Sequence, residues 1–195
     1  GSYDSSDFSD PVQTRFYSRR GKKTQSMLLF LPDRMVFVEE WADMALSAFL
    51  DKVRDVGGRA MAASDIKTCI MHTATIRSTF ALGHYADARA FIIEGCCSQK
   101  DCVNPFFERP IATSGLRFVL PETNEHPGAF YVTVESFRHS VNEIFVEVKG
   151  IFSRQQVGVE EMDVVINGIK SVRAFITDRL YPYLNQFDVP QDELS

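Results

Sequence analysis

The soft metal ligands of this chain gather at one place, Cys96-Cys97 with Cys102 shortly after. Joined by His84 or His126, they have the residue types of a four-ligand zinc site. The spacing speaks against it, because neither Cys-x-x-Cys nor another knuckle pattern occurs, and the three read as loop or core thiols. Cys69 and His72 are three positions apart, on opposite faces of a strand, and so do not make a nucleophile–base pair. His72 falls on the apolar side and reads as a core or edge histidine. His139-Ser140 lies in turn sequence without a Gly-x-Ser-x-Gly elbow, which removes the context for serine hydrolysis. Glu39-Glu40 and Glu160-Glu161 stand at element boundaries, where adjacent acids serve as helix-start charge or as solvated surface. Arg19-Arg20-Gly21-Lys22-Lys23 is a basic tip that could meet a phosphate or an acidic partner, although a solubilising turn accounts for it. Gly57-Gly58 follows a helical pattern instead of opening one, so it cradles no phosphate. From these residues no catalytic, cofactor-binding or metal-ligating residue is assigned.

The composition sets the bounds. The 195 residues are 45% hydrophobic and 12% aromatic, enough for one substantial core. A net charge of -5 argues against a protein that neutralises many phosphates, and nucleic acid is not the expected partner. No apolar run approaches the roughly 18 residues of a membrane span, and no leader pattern is present. A soluble, cytoplasmic protein is expected, and its four cysteines form no secreted disulfide framework. The initial Gly1-Ser2 reads as a tag remnant.

The elements that would position these residues follow from periodicity. Residues 1–11 read as a flexible lead-in and 188–195 as a tail, leaving a single α+β domain over 12–187. Strands are expected at 12–19, 27–31 and 35–39, then a helix whose stripe begins at Trp41, continues through Ala45, Phe49 and Val53, and stops at Gly57-Gly58. The stripe places Trp41 in the core. One long strand over 66–82 should bend near 73–75, because about 50 Å is long for a single strand. Residues 85–94 suit a short helix or an edge strand, and 96–113 read as loop. Strands at 116–120, 130–137 and 144–152 then lead into a long helix with a stripe of Met162, Val165, Ile166, Ile169, Val172, Ile176, Leu180, Tyr183 and Leu184. Pro182 inside that stripe predicts a kink near Asp178. Two blocks share the order strand, strand, strand, helix, a pseudo-repeat that predicts one curved, mainly antiparallel sheet of about seven strands with two helices on one face.

Three pieces of sequence carry a resemblance: Leu31-Pro32-Asp33-Arg34-Met35-Val36-Phe37 running into the helix around Phe49, Thr75-Ile76-Arg77, and Phe175-Ile176-Thr177-Asp178 with Leu180. Over residues 13 to 187 their order is similar to that of a sporadically distributed family of uncharacterised bacterial proteins. The chain departs from the family pattern in lacking its first strand and helix, and in reading Ile76-Arg77-Ser78 where the family has a sequence closer to Leu-Arg-Tyr. The resemblance implies the α+β fold and no activity. The expectation is therefore a non-catalytic binding or interaction module, with a protein partner or self-association. The alternative is a small-molecule-binding or cyclase-like protein whose pocket lies between the curved sheet and the long C-terminal helix.

Overall fold

Alternating side chains build the first sheet of the computed structural model, which describes residues 3–20, 24–41, 44–64, 66–99 and 104–190. Strands β1 (Ser5–Asp7), β2 (Thr14–Arg20), β3 (Thr24–Leu31) and β4 (Arg34–Glu40) pair antiparallel in the order β1-β2-β3-β4. The register sets Phe16 opposite Leu28 and Leu28 opposite Phe37, so one face carries the apolar set, and Phe16 meets Phe30 edge-on at 6.2 Å. β1 lies where a flexible lead-in was expected. Three residues are too few to show a period, and what holds them is outside the strand: the Asp4 N–H donates to Ser18 Oγ at 2.9 Å.

Helix α1 (Leu46–Ala63) starts later and ends later than its sequence stripe implies. Its buried residues are Leu50, Val53, Gly57 and Met61, and it runs straight through Gly57-Gly58. Two glycines cost a helix about 1 kcal/mol each, and burial of Met61 one turn on offsets that, so the pair does not act as a stop. Trp41 is not in the helix and not in the core. It follows β4 with φ 50 and is 63% exposed.

The chain divides into two compact units, Gly1–Asp65 and Ile66–Ser195. In the second unit β5 (Thr68–Cys69) pairs with β10 (Val157–Gly158), while β6 (His72–Ala81), β7 (Gly115–Leu120), β8 (Ala129–Ser136) and β9 (Glu143–Phe152) form an antiparallel sheet ordered β6-β9-β8-β7. The fold is α+β and mainly antiparallel, but the single sheet of about seven strands is replaced by sheets of four, two and four strands. The two long helices belong to different units, one to each. The long strand expected over 66–82 is interrupted at Ile70-Met71, ahead of the expected bend, because its two parts pair in different sheets.

The C-terminal stripe covers the second sheet as its spacing implies. α4 (Met162–Phe175) continues as a π-helical turn over Ile176–Leu180 and then as α5 (Tyr181–Asn185). Ile166, Val172, Ile176 and Leu184 are buried, as are Val132, Val134, Ile144, Val146 and Val148 from the sheet. At Pro182 the structure shows a change of hydrogen bonding: the Tyr181 N–H donates to Ile176 O, one residue further back than in an α-helix. Glu161 closes the start of α4 by accepting the Gly158 N–H at 2.9 Å. Between β6 and β7, α2 (Ala88–Ala90) runs into a π-helical turn over Phe91–Cys96, and α3 (Asn104–Phe107) interrupts the expected loop.

Candidate interaction site

β7 is an edge strand, and among the described residues no strand pairs with its outer side. Pleating sends Leu116, Phe118 and Leu120 to the helix-covered side and Arg117 and Val119 to the other. Even on the covered side the protection is thin. Phe118 touches Tyr183 edge-on at 6.1 Å and remains 37% exposed, with Leu120 at 40%, and on the other side Val119 is 53% exposed. The opposite edge differs in kind: outward residues of β6 are Thr73, Thr75, Arg77 and Thr79, and Arg77 pairs with Glu147. Polar and charged residues on an edge discourage strand addition, and apolar ones invite it.

Past the first residue of β7 lies a groove. Asp87 accepts from the Arg89 backbone N–H at 2.8 Å and from Arg89 Nε at 2.9 and 3.1 Å, and Arg89 Nη1 donates to Ile111 O at 3.2 Å. The Arg89 guanidinium holds the Asp87 carboxyl below the usual carboxylate range. Two pockets flank this pair. One, about 570 Å³, is lined by Glu94, Glu108 and Arg109 among others; the second, about 330 Å³, by Thr113, Ser136, Arg138 and His139. The closed Asp87–Arg89 pair ties α2 to the segment leading into β7, and no nucleophile activated by a base stands in either pocket.

The residues singled out by chemistry lie apart. Burial pushes the Cys96 thiol up to about 12, which leaves it a poor nucleophile; Cys97 is exposed, and Cys102 lies outside the described residues. His84 is engaged through its backbone N–H, which donates to Asp188 Oδ1 at 2.9 Å, and the His126 N–H donates to Thr123 Oγ1 at 3.0 Å. Among the described residues no three His, Cys, Asp or Glu side chains converge to hold a metal ion. Ser140 Oγ donates to Asn142 Oδ1 at 3.0 Å, while His139 lies edge-on to Phe137 at 5.3 Å. In the basic tip, Arg19 stands over the Tyr17 ring at 5.7 Å, and Gly21-Lys22-Lys23 fall outside the described residues.

One charged pair has a role that sequence reading missed, and one histidine lies in the core as its place on the apolar side of the strand implied. Glu39 is not solvated charge: Lys52 Nζ donates to Glu39 Oε1 at 2.6 Å and to Ser26 Oγ at 2.7 Å, with both charged side chains only 11% exposed. The helical phase of Lys52 gave no hint of an inward charge. His72 is buried and stacked on Phe152 at 4.6 Å, with neither ring nitrogen hydrogen-bonded, and burial lowers its pKa. Compared with protein-family models, curated proteins and solved structures, the chain matches none. No helix among the described residues is long and apolar enough to cross a membrane.

Proposed function

We propose that the protein is a non-catalytic interaction module that takes an extended segment of a partner protein as an added strand on β7. The observation that carries this reading is the run Arg117-Phe118-Val119-Leu120, exposed at every position on an edge whose outer side has no pairing strand among the described residues. An added strand satisfies the outward N–H and C=O groups and covers the three apolar side chains, with specificity set by alternate side chains. Among the described residues Cys69 and Cys96 are half-buried, Cys97 is exposed and all three are free thiols, which suits a cytoplasmic setting.

The space between the second sheet and its helix supports the module over the pocket reading, because Ile166, Val172 and Ile176 fill it. Selection from a random octapeptide library tests the proposal. Enriched peptides should alternate apolar residues, slow amide exchange at 115–120, and lose binding in Val119→Pro with the fold retained. Peptides that protect the Asp87–Arg89 groove instead, or no enrichment at all, would overturn it.

A further inference from the structure

The chain already binds one extended segment, its own residues 3–8, on the outer edge of β2. Ser5, Ser6 and Asp7 pair with Tyr17, Phe16 and Arg15. The aromatic rings of Tyr3 and Phe8 both rest on Phe16, at 6.5 and 5.8 Å between centroids, so two anchors straddle one β2 side chain. Lys52 Nζ lies 4.2 Å from the centre of the Tyr3 ring, a cation–π contact, while its hydrogen bonds reach Glu39 and Ser26. The charges are complementary as well: Asp4, Asp7 and Asp10 punctuate the arm, whereas β2 reads Thr-Arg-Phe-Tyr-Ser-Arg-Arg and sets Arg15 opposite Asp7.

We infer that this edge of β2 is a second strand-addition site, built for an acidic partner segment with two aromatic residues five positions apart, and that residues 3–8 occupy it as a displaceable internal ligand. A strand of three residues with Ser5 and Ser6 exposed opens at small cost, in contrast to the eight-residue β3 on the other side of β2. Opening uncovers the outer N–H and C=O groups of β2, the Phe16 ring and the Lys52 cation together. The covalent link gives the arm a high effective concentration, so a partner must outcompete it, and the arm sets a threshold for binding.

A labelled peptide copying residues 3–10, Tyr-Asp-Ser-Ser-Asp-Phe-Ser-Asp, is the direct probe. In the full chain carrying Tyr3→Ala with Phe8→Ala, fluorescence anisotropy should show at least tenfold tighter binding of this peptide than in the unaltered chain. Replacing the peptide's aspartates by lysine, or adding Arg15→Glu to the protein, should remove at least tenfold of that affinity. Equal binding by the two proteins, or indifference to the charge reversals, overturns the proposal. Dimers formed by exchanging arms, without peptide binding, overturn it in favour of a second copy as occupant. Should the double variant not fold, amide exchange in the unaltered chain decides: β2 amides facing β1 should exchange at least tenfold faster than those facing β3, and equal protection defeats the displaceable arm.

Discussion

A neutral imidazole is the form of His72 that its surroundings accept. Both ring nitrogens are buried without a hydrogen bond, and the ring lies against Phe152, so a proton would bring an unsolvated charge. The folded pKa is therefore below the unfolded value of about 6.5, and the unfolded chain takes up the proton first. Stability is complete above that value and declines as the pH falls through it. Urea midpoints at pH 7.5 and 5.5 should separate in the unaltered protein and draw together in His72→Phe, which keeps the stack; parallel losses would clear His72 of responsibility. For the Lys52–Glu39 pair, Lys52→Met strands a shielded carboxylate and should cost about 3–5 kcal/mol, while the double change Lys52→Met with Glu39→Met should recover most of it. Trp41 should emit like free tryptophan and be quenched efficiently by iodide, since most of its surface is exposed. Its sequence stripe was misleading because aromatic residues at helical spacing do not say where the helix begins. The enclosed Lys52–Glu39 pair was illegible for another reason, since periodicity ranks residues by polarity, whereas the place of His72 on the apolar side of its strand was legible from alternation.

At the level of elements, two glycines decide how closely α4 approaches its sheet. A Cβ on Gly168 would run into His72 Nε2 and lie 3.0 Å from Phe152 Cε2, and one on Gly150 would lie 2.6 Å from Val172 Cγ2. Gly168→Ala should therefore destabilise by about 1–3 kcal/mol by overpacking, despite the roughly 1 kcal/mol that alanine gains in helix propensity. Thermal or denaturant unfolding of that single variant reads the sign directly. Ile176→Ala, by contrast, should cost about 2–5 kcal/mol through the cavity it leaves. The strands β2 to β4 and β7 to β9 were legible because each alternates over five or more residues, and the stripe from Met162 to Leu184 because its spacing is helical. β5 and β10, two residues each, carry no period to read.

For the whole molecule, the partition of strands among sheets was hidden from the sequence. Alternation says which side chains share a face but not which strands are neighbours, so two meanders fit one sheet or two equally well. The cores differ in size. The buried apolar residues described in the first unit are Leu28, Leu50, Val53 and Met61, whereas the second unit holds the larger set that includes Phe91, Ile144, Ile166 and Leu184. Denaturant unfolding followed by amide exchange should show 24–61 losing protection before 144–184; simultaneous loss would mean that the two units unfold as one. On the β7 edge, Val119→Lys should leave stability within about 0.5 kcal/mol, because that side chain is already half in water.

The π-helical turn ahead of Pro182 also settles the rotational phase of everything after it. Val172, Ile176, Leu180 and Leu184 are four residues apart, and on an uninterrupted α-helix each such step overshoots a full revolution by about 40°. Three steps would carry Leu184 about 120° around the axis, off the sheet, yet it is fully buried. The widened turn absorbs much of that excess, as a leap day absorbs the drift of a calendar. Deleting one residue between 176 and 180 would leave eleven steps from Val172 to Leu184, about 1100° on a plain α-helix, so Leu184 should stay within about 20° of the stripe and against the sheet. In a denaturant titration its cost should fall well below that of Leu184→Asn, which buries an amide in place of an apolar side chain; an equal cost would mean that the wide turn does not set the phase.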